Sequence, residues 1–309
     1  MVGTYNPWLV LLSVAVAIFV SHTALRLSAR VARATGLPSK LWLTGGALAM
    51  GSGIWSMHFI GMLAFSLPIA LAYDIPTTIS SLFIAIISSA FALGIANRPR
   101  ISLFHLLIGA MLLGGGICAM HYVGMAAIQI TPMITYEPVL LVLSVIIAMV
   151  ASFVALWLFF RLRKGNSLLM RLARLGAAFV MGIAVSGMHY TGMAASRFSP
   201  GSFCIGAGTT DQRWLALSIA IPAIAVLAIT TVLLIYDSHL DSHTRKHNAQ
   251  LEQANAQLEH AATHDALTGL PNRVLLADRL DQATAQSERY SRGFAVLVVD
   301  LDQIGRAHV

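Results

Sequence analysis

Three variants of one hexapeptide recur along the chain: Met57-His58-Phe59-Ile60-Gly61-Met62, Met120-His121-Tyr122-Val123-Gly124-Met125 and Met188-His189-Tyr190-Thr191-Gly192-Met193. Each offers one imidazole and two thioethers. Thioethers are soft ligands that select copper(I), and imidazole suits copper, zinc or iron. The apolar stretches holding the motifs contain no Asp or Glu, so the oxygen-rich ligand sets of magnesium and calcium are excluded there. The chemistry these residues can do is that of a transition metal. Copper is the first choice, and a haem held axially between two of the histidines is the alternative. A reading without chemistry also exists, in which imidazoles hydrogen-bond between helices and methionines fill the core. A single copy would suit it. Three copies spaced by 63 and 68 residues suit a repeated unit built around a site.

The elements that position the motifs follow from composition. The 309 residues are 57% hydrophobic and only 11% charged, against roughly a quarter charged in a soluble domain. Residues 8–25, 41–67, 75–96, 101–130, 139–160, 175–195 and 214–236 contain no Asp, Glu, Lys or Arg. A helix needs about 20 apolar residues to cross the hydrocarbon core. The sequence therefore predicts an all-α, seven-span bundle with internal repeats in a cell membrane. The first span lacks the basic leader and cleavage site of a signal peptide. Arg26, Arg30, Arg33 and Lys40 follow span one, Arg98 and Arg100 follow span three, and Arg161, Arg163, Lys164, Arg171 and Arg174 follow span five. The opposite loops hold only Arg197 and Arg213. Basic residues mark the cytoplasmic side, so the N-terminus is expected outside and the C-terminus in the cytoplasm. The net charge of +7 is then an orientation signal, and no nucleic-acid partner is expected.

Spans two, four and six run in one direction, and all three motifs lie near their outer ends. The histidines are expected roughly 10–14 Å from those ends, at a common depth. Within each motif the histidine and the second methionine share a helix face. Gly45, Gly46, Gly51 and Gly53, then Gly109, Gly114, Gly115 and Gly116, then Gly176, Gly182 and Gly187 let these helices approach one another closely. His22 and His105 fall near the cytoplasmic side, as packing or interface residues. Cys118 and Cys204 are expected as small buried hydrophobes and not as a disulfide.

Past Tyr236 the chain turns polar. Leu251, Ala254, Leu258 and Ala261 keep heptad spacing within residues 237–264, which suits a short coiled-coil helix and a homodimer. Gly269-Leu270-Pro271-Asn272 is turn chemistry, a further helix follows, and residues 294–302 read as a buried strand ending in two acids.

These features resemble two families. The three Met-His-Tyr/Phe-x-Gly-Met copies in a seven-span frame resemble the MHYT integral-membrane sensor domain of bacteria, which implies a bacterial cell membrane. The resemblance implies ligands from His58, His121, His189, Met57, Met62, Met120, Met125, Met188 and Met193, bound copper, and sensing of oxygen, carbon monoxide, nitric oxide or redox state. Asp265-x-Leu267-Thr268-Gly269-Leu270-Pro271-Asn272-Arg273 resembles the opening of a GGDEF diguanylate cyclase domain. Asp300 would stand in the place of a magnesium ligand, with GTP as substrate of an intact domain. The guanine-binding residues and the GGDEF signature are absent before Val309, so an incomplete α/β fragment without cyclase activity is expected. The expected organisation is a sensor domain over residues 1–240, a linker helix over 241–262 and the cyclase fragment over 263–309.

Overall fold

The computed structural model describes residues 3–31, 35–69, 71–98, 100–163, 167–204, 212–290 and 292–299, and only part of the side chains in residues 212–241. The elements in order are β1 (Thr4–Tyr5), α1 (Pro7–Val31), α2 (Leu37–Ala64), β2 (Phe65–Ser66), α3 (Ile75–Ala96), α4 (Leu103–Ala126), β3 (Ile130–Thr131), β4 (Thr135–Tyr136), α5 (Pro138–Leu162), α6 (Leu168–Ala195), β5 (Ser196–Arg197), β6 (Phe203–Cys204), α7 (Gln212–Thr263) and α8 (Arg273–Tyr290). Among the described residues six helices, α1 to α6, are long and apolar enough to cross a membrane. The seventh expected span, residues 214–236, falls within α7. The chain divides into two units, Met1–Ile235 and Tyr236–Val309.

In the first unit the helices form a closed ring, each of α1 to α6 packed on the next and α6 returning to α1. The ring is three copies of one hairpin: α1 with α2, α3 with α4, and α5 with α6. The odd helices start alike. Asn6, Asp74 and Glu137 each accept backbone N–H bonds from the first turn, and proline follows within two residues. The same three residues donate their own backbone N–H, each at 2.8 Å, to the carbonyls of Ala64, Ala127 and Ala195. Those alanines lie six residues beyond His58, His121 and His189. Short pairings complete each clip: β1 with β2, Tyr73 with Ile128, and β4 with β5. Every histidine-bearing helix is thereby fastened at its C-terminal end to the start of its hairpin partner.

Glycines set the seams between hairpins. A Cβ on Gly51 would meet the backbone of Ile86, one on Gly114 the backbone of Ala148 and Met149, and one on Gly182 the backbone of Ile18. All three glycines stand seven residues before a motif histidine, and only a residue without a side chain permits such an approach. Of the other glycines, Gly46, Gly53, Gly109 and Gly116 also face neighbouring helices, whereas Gly45, Gly176 and Gly187 face open space. At the opposite end Arg163 donates to the carbonyls of Ala96 and Arg98, and Arg174 to that of Leu162, closing helix ends that a membrane would otherwise leave unsatisfied. Outward faces such as Phe83, Ile87 and Phe91 stay exposed, as lipid-facing positions should.

In the second unit the motif that follows α7 is a hydrogen-bonded turn. Asp265 Oδ1 accepts from the backbone N–H of Leu267 and Thr268 and from the Thr268 hydroxyl, and Gly269 takes a φ of 69°. Asn272 does two tasks. Its side-chain amide donates to the Ala262 carbonyl, and its Oδ1 caps α8 by accepting from Val274 and Leu275. The expected strand does not form: residues 292–299 carry no strand pairing and Leu297 and Val298 are exposed. A lone strand leaves a row of unpaired N–H and C=O groups, and no described segment supplies a partner. Asp300 lies outside the described residues.

Candidate metal centre

The three hairpins bring His58, His121 and His189 to a single point. All three are buried, and their Nδ1 atoms stand 3.0 Å (His58–His189), 3.1 Å (His58–His121) and 3.2 Å (His121–His189) apart. The rings are steeply inclined to one another, at 77–88°, like the blades of a propeller. The next residue of each motif supports its histidine edge-on: Phe59 on His58, Tyr122 on His121 and Tyr190 on His189, each with ring centroids 4.8 Å apart.

The back of each imidazole is set by the glycine of another motif. His58 Nε2 lies against Gly124, His121 Nε2 against Gly192 and His189 Nε2 against Gly61. The order is cyclic, so each hairpin provides one imidazole and the seat for another. A side chain at any of these glycines would overlap the ring. Hydroxyl latches fix the supporting aromatics. Buried Ser13, Ser81 and Ser144 each donate to a carbonyl three residues earlier in their own helix. Tyr190 and Tyr122 then donate to Ser13 and Ser144, each at 2.6 Å. Phe59 has no hydroxyl, and Trp55 Nε1 takes its place with a 3.0 Å bond to Ser81.

Hydrogen bonding alone cannot satisfy this triangle. A neutral imidazole carries one proton, and an Nδ1 that carries it has no lone pair to offer in the ring plane. Among three mutually facing Nδ1 atoms, at least one contact sets proton against proton or lone pair against lone pair. The three Nε2 atoms are also buried without a hydrogen-bond partner. A cation would relieve the Nδ1 conflict, because three unprotonated Nδ1 atoms could all serve it as ligands, each imidazole then carrying its proton on Nε2. Corners of a triangle with 3.1 Å sides lie about 1.8 Å from its centre, a spacing compatible with a single ion that His58, His121 and His189 would hold, given usual imidazole–metal lengths of about 2.0–2.1 Å. His58, His121 and His189 form the one group of three or more His, Cys, Asp or Glu suited to a metal among the described residues.

The other sequence candidates fall as follows. Met57, Met62, Met120, Met125, Met188 and Met193 are all buried in the core that contains the triad. Their burial is common to a packing and a ligand role. Met50, Ile54, Leu113, Ile117, Met181 and Val185, one and two turns before the histidines, line a cavity of about 30 Å³. Neither His22 nor His105 joins the triad; His105 Nδ1 bonds Ser102 Oγ at 2.6 Å, at the start of α4. Cys118 and Cys204 are free and buried.

Comparison with known proteins agrees with this architecture. The family described as a bacterial signalling protein N-terminal repeat, MHYT, matches residues 51–109, 114–171 and 182–244. Each match begins at a crossing glycine, Gly51, Gly114 or Gly182. The GGDEF diguanylate cyclase family matches residues 262–306. The chain is 51% identical over 303 residues to the bifunctional diguanylate cyclase/cyclic di-GMP phosphodiesterase MucR of Pseudomonas aeruginosa, covering 98% of this chain and 44% of that protein. It is 38% identical to the cyclic di-GMP phosphodiesterase NbdA of the same organism, covering 98% of this chain and 40% of that one. It is also 38% identical to the signaling protein YkoW of Bacillus subtilis, covering 85% of this chain and 32% of that one. The chain thus spans less than half the length of these relatives. No solved structure matches it. Three repeats, six membrane-length helices and these relatives establish a multi-pass membrane protein that belongs to the MHYT family of bacterial signalling proteins and continues into a GGDEF-family segment.

Proposed function

We propose that residues 1–240 are the sensory part of a cyclic-di-GMP signalling protein, with copper held by His58, His121 and His189 near the outer leaflet. The observation that carries this reading is the buried Nδ1 triangle. Copper is preferred because three imidazoles lie among six buried motif methionines, a soft environment suited to copper(I). When bound, such an ion supplies one-electron redox change and an affinity for diatomic ligands. The protein's part is to hold three neutral imidazoles in place, exclude charge and leave little free space. The neighbouring cavity of about 30 Å³ suits a ligand of one or two heavy atoms such as oxygen, carbon monoxide or nitric oxide. Haem is disfavoured. Two axial nitrogens on opposite sides of an iron stand about 4 Å apart with a macrocycle between them, whereas these nitrogens are 3.0–3.2 Å apart.

In the proposed orientation the N-terminus is outside and residues 241–262 form a cytoplasmic linker helix, dimerising through Leu251, Ala254, Leu258 and Ala261. Ligand binding would bias the placement of two cyclase domains in the whole protein, with Asp300 as magnesium ligand and GTP as substrate. Elemental analysis and optical spectra of the detergent-purified chain, beside a His58→Ala/His121→Ala/His189→Ala variant, test the reading. Near-stoichiometric copper only in the unaltered chain is expected. Absence of metal from both, with both inserted and helical, would reduce the triad to a packing device in a membrane anchor.

A further inference from the structure

The second unit of the chain carries its own group of histidines. Five of the chain's 11 histidines fall between residues 239 and 264, and each has another four residues away: His239, His243 and His247, then His260 and His264. Because α7 is one continuous helix through Thr263, this spacing places each set along one face, with Cβ atoms about 5–6 Å apart. His239, His243 and His247 are exposed. The rings of His243 and His247 are 6.4 Å apart and inclined by only 32°. Neither makes a hydrogen bond to a described residue. The second pair differs: His264 Nδ1 is tied to the Thr263 hydroxyl at 3.0 Å, and its ring is stacked on His260 at 4.1 Å.

Helix stability does not explain the first set. Histidine is a weaker helix former than the Ala, Glu, Gln or Lys that fill exposed positions elsewhere in α7. Nor does packing, since these side chains face solvent. Two imidazoles one turn apart on a single face can, however, chelate a borderline divalent metal.

We propose that His243 and His247 form a surface zinc site on α7, separate from the buried triad and open to the medium. His239, one turn earlier, offers a second overlapping pair with His243. Two imidazoles leave the remaining coordination positions to water or to ligands from outside the chain. Chelation across one turn holds that turn helical, so zinc there would stiffen α7 between its apolar stretch and the Asn272 turn.

The test is zinc titration calorimetry on the full chain, purified without a histidine tag, in the His58→Ala/His121→Ala/His189→Ala background. One zinc ion per chain is expected. His243→Ala, which removes the imidazole common to both pairs, should weaken binding by about tenfold or more, since even second-sphere partners of a metal are worth about 10–100-fold. A spacing control carries Arg245→His with His243→Ala and His239→Ala. It replaces one exposed histidine but leaves the new imidazole two residues from His247, on another face, so binding should stay weak. Full affinity in that control, or in His243→Ala, would overturn the proposal, as would absence of zinc from an inserted, helical parent. If the triple variant does not fold, the same substitutions go into the unaltered chain. Zinc stoichiometry should then drop by one, and an unchanged stoichiometry would refute the site.

Discussion

Gly124→Ala puts the cyclic seating of the triad to the sharpest test. The added methyl would stand well inside the 3.0 Å that real Cβ contacts essentially never breach, with His58 Nε2 as the obstacle. Restoring ordinary contact requires the ring to retreat by roughly 1 Å. It has nowhere to go. Moving inward drives its Nδ1 into those of His121 and His189, already 3.1 and 3.0 Å away, and Phe59 blocks one side. Overpacking of this kind costs about 1–3 kcal/mol. If the strain is relieved by withdrawing His58 from the metal, about 1.4 kcal/mol per tenfold gives an affinity loss of about 5- to 150-fold. Competition for copper(I) with a chromophoric chelator reads that loss directly. Gly187→Ala is the matched control. It lies two residues before His189 on the same kind of helix, with nothing within 4 Å of its Cβ position, and alanine is the better helix former. Unchanged copper affinity in Gly124→Ala, or an equal loss in Gly187→Ala, would refute the seating argument.

Three further outcomes are expected. Tyr122→Phe removes the 2.6 Å bond to Ser144, whose own hydroxyl stays bonded to Leu141, so thermal unfolding in detergent should show a loss of about 1 kcal/mol with metal retained. Asn272→Ala uncaps α8 and releases the Ala262 carbonyl together; about 1 kcal/mol or more of local stability should vanish, seen as faster amide exchange at Val274 and Leu275. Bonds from Thr268 and Leu267 hold the Asp265 carboxyl below its ordinary value near 3.8. The turn should therefore keep its full stabilisation above that value and lose it only as the pH falls through the lower folded value. Carboxyl NMR giving a midpoint at or above 3.8 would contradict the bonding.

Much of this architecture was legible in the sequence because the repeat encodes it on single residue types. Histidines at matched positions of same-direction spans predict a common depth. Glycines in the same spans predict close helix approach, but the sequence does not single out Gly51, Gly114 and Gly182 as the crossings. The clips were not legible, since Asn6, Asp74 and Glu137 do one job with three residue types and their partner is a backbone carbonyl. The convergence through Nδ1, with Nε2 seated on the next motif's glycine, depends on ring orientation, which spacing does not encode. The role of Arg163 and Arg174 in closing helix ends was hidden behind their use as a topology signal. The strand expected over residues 294–302 read correctly as apolar and β-branched, but pattern alone does not supply a pairing partner.

The first repeat breaks the threefold pattern, and the break is itself testable. Phe59 stands where Tyr122 and Tyr190 carry hydroxyls, and Trp55, one turn earlier, occupies the serine that a tyrosine would have used. Phe59→Tyr alone should therefore destabilise. The new hydroxyl enters a fully buried site where Ser81 is already engaged by Trp55, and a buried, unpartnered hydroxyl costs about 1–3 kcal/mol. Trp55→Phe alone should also destabilise, through the lost bond and the smaller ring in a buried position. Together the two changes rebuild the latch as the other repeats make it, with the phenolic hydroxyl supplied by Phe59→Tyr and Ser81 free to accept from it. The double variant should lose less than the sum of the single losses, with a favourable coupling of about 1 kcal/mol in a double-mutant cycle. Strict additivity would show that Ser81 does not select between the two donors, and that the three seams are held by packing and not by a shared hydrogen-bond position.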